Sequence, residues 1–160
     1  MVDLTVAMEV GLVLACLFFV YRMSTLFGVE IEPIAPPGVR ICKLYGSLFF
    51  GAVAKLERVG ENLPAGTKAV ILEMHQLVSI DSSGLDALQQ LHRHLRRQDV
   101  RLVLCALNAQ PMALMRQAEF DAVLGPEDLQ PNVTEALARL TAAVSEPVRH
   151  GAAGGLTISS

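Results

Sequence analysis

An apolar segment near the amino terminus constrains this chain more than any other feature of the sequence. From Leu4 to Tyr21 it reads LTVAMEVGLVLACLFFVY, and only Thr5 and Glu9 interrupt the apolar run. A helix needs about 20 such residues to cross the hydrocarbon core of a bilayer. An aromatic residue and a cation, Tyr21 and Arg22, stand where the headgroup region would begin. We therefore predict a transmembrane helix within residues 1–26.

Two other interpretations of this segment fit its residues less well. A secretory signal would start with basic residues and end at a small-residue cleavage site, whereas this chain starts with Asp3 and has no such site. A buried core helix would need protein around all of its faces, and the remaining chain is too small to surround it. Glu9 is expected either to face other membrane helices, which this chain lacks, or to stay hydrated near the headgroups. Arg22, Arg40 and Lys43 favour a cytoplasmic location for the following residues.

The composition excludes some classes of function. The chain of 160 residues is 52% hydrophobic, and its mean hydropathy is +0.43, so part of it is expected to face lipid. A net charge of −3 and the absence of Trp argue against nucleic-acid binding. Cys16, Cys42 and Cys105 form no CxxC pair, and we expect three buried thiols in a reducing compartment.

Beyond residue 26, strand and helix patterns alternate along the chain. The predicted strands are Glu30–Ile34 (an edge strand, because of its proline), Val39–Tyr45, Ala69–Met74, Val100–Leu107 and, briefly, Ala122–Leu124. The predicted helices are Leu48–Asn62, Leu85–Arg97, Pro111–Phe120 and Leu129–Val144. This alternation predicts an α/β domain whose mostly parallel sheet has about four or five strands and about four flanking helices. Stacking these helices on one side of the sheet is the most economical packing.

Local signals predict where several helices begin. Gly46 and Ser47 are expected to open the helix at Leu48, and Asp128 is expected to cap the last helix. Asp81 or Ser82 is a suitable N-cap for the helix at Leu85–Arg97.

The chain is accordingly divided into three parts. Residues 1–26 form the membrane segment, residues 27–145 form the globular domain, and residues 146–160 form a Gly-, Ala- and Ser-rich tail that is predicted to be disordered. We expect Val29–Val144 to fold alone in water, whereas the full chain should require detergent.

Three stretches of this sequence carry a resemblance to a known family. The strand, linker and helix start AVILEMHQLVSIDSSGLDALQQL, Ala69 to Leu91, resembles the signature of STAS domains. The opening VDLTVAMEVGLVLACLFFVYRMS resembles the last membrane helix of bacterial SulP anion transporters. GSLFFGA, Gly46 to Ala52, is similar to the start of the first STAS helix in SulP proteins, and the resemblance extends to about Val144.

The resemblance implies a STAS fold with a mixed sheet flanked by helices. This domain would lie on the cytoplasmic side of the inner (plasma) membrane, following the last span of a sulfate or other inorganic anion transporter. The implied role is regulation, assembly or partner binding. The implied partners are the rest of the transporter membrane domain, which this chain lacks, and a cytoplasmic regulatory protein or small ligand. The alternative is a free-standing, membrane-tethered switch protein of the anti-sigma factor antagonist type, controlled by serine phosphorylation.

The resemblance also marks a candidate site at the turn Asp81-Ser82-Ser83-Gly84. Ser82 matches the serine that is phosphorylated in the related anti-sigma factor antagonists. A phosphate there would meet the free N–H groups of a helix N-terminus and would be repelled by Asp81. Two other interpretations remain open: a purely structural turn, with Gly84 allowing close packing, and an unphosphorylated contact with a partner or ligand.

The sequence offers no support for catalysis, so the chain is not expected to be an enzyme. Neither a Gly-x-Ser-x-Gly elbow nor a glycine-rich phosphate loop is present. His92 and His94 would point to different faces of a helix, which makes them a poor metal pair, and both are expected to be solvated, as is His75. We therefore expect no cofactor and no metal.

Overall fold

A computed structural model of the chain describes residues 4–25, 27–49 and 53–145. Within these ranges, helices and strands follow each other along the chain. They are α1 (Leu4–Thr25), β1 (Gly28–Ile31), β2 (Val39–Leu48), α2 (Val53–Glu61), β3 (Ala69–Ile80), α3 (Ser82–Arg97), β4 (Arg101–Cys105), α4 (Ala109–Gln117), α5 (Phe120–Leu124), β5 (Leu129–Gln130) and α6 (Val133–Ser145). The predicted tail at residues 146–160 lies outside the described residues.

The five strands form one sheet in the order β1-β2-β3-β4-β5. β1 is antiparallel to β2, and every other neighbouring pair is parallel. The predicted α/β class and the mixed, mostly parallel sheet are therefore confirmed. β1 lies at the edge of the sheet, as expected, although it begins two residues before the predicted Glu30 and ends at Ile31.

The two central strands are longer than the sequence predicted. β2 and β3 stay paired from Val39 opposite Ala69 to Leu48 opposite Ile80, with two register shifts on the way. The prediction that Gly46 and Ser47 open a helix at Leu48 is wrong, because Leu48 is the fully buried last residue of β2. Among the described residues, the next helix begins at Val53. These extensions bring β2 and β3 up to the Asp-Ser-Ser-Gly turn.

Apolar side chains cover both faces of the sheet. On one face, Cys42, Leu72 and Leu104 belong to the larger core, which packs against α2, α3, α4 and α5. On the opposite face, Ile71 and its neighbours pack against α6 through Ala136. The prediction that all helices stack on one side is therefore wrong. Consecutive residues of β3 and β4 are buried, so each face of these strands requires a cover.

The carboxyl-terminal part of the domain differs most from the predictions. Ala122–Leu124 is not a strand but lies in α5, whose Phe120 and Leu124 are both buried. The residues predicted to begin the last helix form β5 instead. Asp128 does not cap that helix, because its carboxylate accepts a hydrogen bond from Arg101 Nε at 2.5 Å. Asn132 Oδ1 accepts a hydrogen bond from the Glu135 N–H at 2.8 Å and so takes the capping role.

Three other boundaries shift by a few residues. α3 begins at Ser82 rather than Leu85, and β4 is shorter at both ends than the predicted strand Val100–Leu107. α4 begins at Ala109, which keeps Pro111 in its first turn, where a proline is tolerated. The predicted helix Pro111–Phe120 is therefore divided between α4 and α5.

α1 contains a candidate membrane span, Leu4–Arg22, whose residues are exposed. Leu4–Arg22 is long and apolar enough to cross a bilayer, with a mean hydropathy of 2.2, and none of it is buried in the protein. Cys16 lies on this exposed helix, so the expectation of three buried thiols is wrong, and only Cys42 and Cys105 are buried.

The histidines of α3 occupy different environments. The His92 ring packs edge-on against Phe120 with their centroids 5.9 Å apart, so the expectation that it is solvated is wrong. Burial lowers the pKa of His92, and the charge of Arg96 acts in the same direction. His94 contacts Gln98 at 2.9 Å, and His75 is exposed, as expected.

Candidate functional site

The turn between β3 and α3 is built around the carboxylate of Asp81. Asp81 has an extended backbone and is the N-cap of α3, and its Oδ1 accepts a hydrogen bond from the Gly84 N–H at 2.7 Å. Its backbone carbonyl accepts a second one from the Leu85 N–H at 2.9 Å. Such a cap satisfies donors that have no partner within the helix. Of the two predicted cap residues, Asp81 takes the role.

Gly84 allows the first turn of α3 to lie directly against the carboxyl-terminal ends of β2 and β3. A Cβ atom at this position would lie 2.3 Å from the Leu48 carbonyl oxygen and 2.9 Å from Ile80 Cγ1. Real side chains do not approach so closely, so only glycine fits without a backbone shift. This packing agrees with the interpretation that Gly84 has a structural role.

Ser82 is the first residue of α3 and is exposed, whereas Ser83 is half-buried. Beside Ser82 a shallow groove of about 290 Å³ runs between α3 and α4. Leu85, Leu114 and Ala118 provide its apolar part, while Asp86 and the amides of two glutamines provide its polar part. The hydroxyl of Ser82 is thus accessible to a partner, and the adjoining groove can accept a side chain from one.

Two amide side chains that the sequence reasoning overlooked hold the end of β3 in place. Gln110 of α4 donates through Nε2 to the Ile80 carbonyl and accepts at Oε1 from the Ile80 N–H, both at 2.9 Å. Asn108 Nδ2 lies 2.8 Å from the Leu77 carbonyl and 3.0 Å from the His75 carbonyl. β4 ends at Cys105, so these amides replace the missing strand neighbour. Their signal in the sequence is the Asn-Ala-Gln run shortly after a buried strand.

The chain enters the sheet at the same end as the turn. α1 ends at Thr25, and the next described residue, Phe27, is buried in the core. Gly28 then lies opposite Tyr45, whose ring fills the space that a side chain on residue 28 would need. Because β1 is antiparallel to β2, this end is the one at which β2 and β3 finish, next to Asp81. The end of α1 and the exposed Ser82 therefore lie at the same end of the domain.

The two buried thiols, Cys42 and Cys105, are poorly suited to bind a metal or to act as nucleophiles. Burial raises the pKa of Cys105 to about 12, with a further contribution from the charge of Glu73. Burial also raises the pKa of Cys42. The neutral thiol neither binds metals nor attacks electrophiles well. Among the described residues, His, Cys, Asp and Glu side chains form no group of three or more that would hold a metal ion.

The sheet order, the helix that begins at an Asp-Ser-Ser-Gly turn and the sequence itself identify the family. The STAS domain profile matches residues 30–136, which is well over half of the chain. The chain belongs to the STAS domain family.

The relatives of this chain are SulP-type sulfate transporters. A putative sulfate transporter of Bacillus subtilis, YvdB, is 29% identical over 133 residues, which cover 78% of this chain but 25% of YvdB. This chain therefore corresponds to about a quarter of that transporter. The crystal structure of a sulfate transporter family protein from Wolinella succinogenes superposes with a TM-score of 0.65 and 26% identity, covering 71% of this chain and 93% of the other.

The fold is also shared with anti-sigma factor antagonists. An anti-sigma factor antagonist from Mycobacterium paratuberculosis superposes with a TM-score of 0.60 over 72% of this chain and 94% of its own, at 17% identity. At that identity the likeness concerns the fold alone. The fold by itself therefore does not separate a transporter domain from an anti-sigma factor antagonist.

Proposed function

We propose that this chain is the regulatory STAS domain of a SulP-type inorganic anion transporter, together with the last membrane helix of that transporter, and that it is not an enzyme. The observation that carries the proposal is the direct junction between α1 and the domain: one residue separates Thr25 from the buried Phe27. A tether for an independent switch protein needs no such close attachment. The similarity to YvdB and to the sulfate transporter family protein of Wolinella succinogenes supports the same conclusion.

The position of the turn supports a specific partner for it. Ser82 lies at the end of the sheet at which the chain arrives from α1. In the proposed arrangement this end faces the membrane, so the turn and its groove are available to the rest of the transporter membrane domain. The domain itself lies in the cytoplasm. Arg22, Arg40 and Lys43 support this orientation, because basic residues that follow a membrane span favour the cytoplasmic side.

A transporter chimera tests the proposal. This chain replaces the segment of YvdB that it matches, about a quarter of that protein, and sulfate uptake is measured in cells that lack their own sulfate transporters. We expect the chimera to take up more sulfate than YvdB truncated before the replaced segment. Uptake by the chimera equal to that of the truncated protein, at matched membrane expression, would contradict the proposed function.

The second candidate function is a phosphorylation switch at Ser82, and the observation that favours it is the exposure of this residue beside Asp81. A phosphate would add about 1.5 to 2 negative charges next to a carboxylate and would change the surface offered to a partner. We expect Ser82→Asp to weaken binding of the transporter membrane domain about tenfold, equivalent to about 1.4 kcal/mol. Ser82→Ala should leave the affinity unchanged.

The control is Gln90→Asp, which adds the same charge at an exposed position of α3 eight residues further along. Affinities are measured with the full chain in detergent against the purified membrane domain. If Ser82→Asp and Ser82→Ala bind equally well while both remain folded, Ser82 is not a switch. If Gln90→Asp weakens binding as much as Ser82→Asp, the effect is one of net charge and not of the site.

A further inference from the structure

A groove lined by cations lies between β1 and α2, away from the Asp-Ser-Ser-Gly turn. Its volume is about 310 Å³. Its apolar wall consists of Val29, Ile31 and Val59, and its polar groups are Arg40, Lys55, Arg58 and Asn62. None of the described residues that line it carries a carboxylate. We name these seven residues the β1–α2 groove.

The basic and the acidic residues of α2 lie on different faces of the helix. Lys55, Arg58 and Asn62 are three and four residues apart, so they lie along one face of the helix. Glu57 and Glu61 line a different groove, between α2 and α3, together with basic residues of α3. The positive charge of the β1–α2 groove is therefore not neutralised by the acidic residues of its own helix.

Arg40 adds a buried donor from the sheet. Its Nε is buried and has no hydrogen-bond partner among the described residues. Leaving such a donor unpaired costs free energy. Burial raises the pKa of the nearby Cys42 thiol, whereas the charge of Arg40 and a side-chain hydrogen bond with it act in the opposite direction. Arg40 thus brings to the groove a cation with one N–H that has no partner among the described residues.

The third cation connects the groove to the membrane helix. Lys55 Nζ donates a hydrogen bond to the Phe27 carbonyl at 2.6 Å, and Phe27 comes two residues after the end of α1. The groove therefore lies beside the junction through which α1 joins the domain.

We propose that the β1–α2 groove binds a small divalent oxyanion of the sulfate or phosphate type. Guanidinium groups match the geometry of tetrahedral oxyanions, and the groove offers two of them, Arg40 and Arg58, with the charge of Lys55 close by. The oxyanion is either a free ion from solution or the headgroup of a lipid. A lipid headgroup can reach the groove because the groove adjoins the end of α1.

An anion in this groove holds β1 against α2 next to the junction with α1. Binding and the position of the junction are then linked, so anything that displaces β1 from α2 weakens the affinity for the anion. The proposal does not depend on the Ser82 turn or on the transporter chimera.

The test uses the full chain in a maltoside detergent, which contains no phosphate. Sodium sulfate replaces sodium gluconate at constant ionic strength up to about 50 mM, at which a site with a Kd near 1 mM is almost filled. The readouts are the NMR resonance of the Arg40 Nε–H group and the Tm from circular dichroism. We expect a saturable shift of this resonance and a saturable rise in Tm.

The variants are Arg58→Gln, which removes an exposed cation of the groove, and Arg97→Gln, which removes an exposed cation of α3 outside it. We expect Arg58→Gln to weaken sulfate binding at least tenfold and Arg97→Gln to leave it unchanged. If the resonance and the Tm respond only to phosphatidic acid added to the micelles, and Arg58→Gln abolishes this response, the oxyanion is a lipid headgroup. No shift of the Arg40 resonance with either anion overturns the proposal, as does an equal response in both variants.

Discussion

At the scale of single residues, the candidate site combines one cap, one close approach and one exposed hydroxyl. Asp81 caps α3 and Gly84 allows its close packing, and both are needed for the fold whatever the turn binds. Ser82 differs from them, because its exposed side chain has no such structural role in the described part of the chain. A functional assignment at this turn therefore depends on Ser82 more than on its neighbours.

The first prediction concerns Gly84. Gly84→Ala should lower the free energy of unfolding by about 1–3 kcal/mol, because the added methyl group overlaps the Leu48 carbonyl and forces α3 away from β2. Gln90→Ala, at an exposed position of the same helix, should stay within about 0.5 kcal/mol of the wild type. Both are measured by thermal or urea unfolding followed by circular dichroism. A Gly84→Ala protein as stable as the wild type would mean that the helix and strand do not meet as described.

At the scale of elements, the sequence predicted the type of most helices and strands but not their ends. Ala69–Met74 was identified because its residues are apolar and β-branched, whereas the continuation to Ile80 contains exposed His75, Gln76 and Val78. That continuation is held by β2 and by Asn108 and Gln110, which are distant in sequence. Tertiary contacts of this kind leave no periodic signal, so both the strand ends and the amides that support the site were missed.

α1 gives a prediction that belongs to the element as a whole. In liposomes, Cys16 should not react with a charged, water-soluble methanethiosulfonate, because a charged reagent does not enter the hydrocarbon core of the bilayer. Gln90→Cys, on the exposed surface of α3, should react readily when the domain faces the reagent. Labelling is quantified by mass spectrometry before and after denaturation in detergent. Reaction of Cys16 in intact liposomes as fast as that of Gln90→Cys would exclude a membrane location for α1.

At the scale of the whole molecule, a helix suited to lipid and a domain suited to water are joined at one point of the chain. The apolar residues of Leu4–Arg22 are exposed, whereas the sheet and its flanking helices bury two apolar clusters of their own. The core of the domain includes Phe27, two residues before the segment Val29–Val144 that the sequence indicated as able to fold alone. We therefore predict that the stable unit includes Phe27, the first residue of the predicted globular domain.

Two truncated chains test this boundary. The segments Phe27–Ser145 and Val29–Ser145 should both be soluble without detergent, whereas the full chain should aggregate. The longer segment should be more stable by about 3–5 kcal/mol, since deleting a buried Phe leaves its site empty. Solubility is measured by size-exclusion chromatography and stability by urea unfolding. A full chain that stays monomeric without detergent, or equal stability of the two segments, would contradict this division.

The short junction after Thr25 also limits how the two parts can move. One residue extends the chain by no more than about 3.6 Å, so a displacement of α1 along its axis by more than this distance must pull on Phe27. Phe27 is anchored in the core and its carbonyl is held by Lys55, so the pull reaches β1 and α2 rather than being absorbed by a slack linker. A piston-like movement of the membrane helix would therefore be transmitted mechanically to the domain, and inserting a few glycines at residue 26 would uncouple the two.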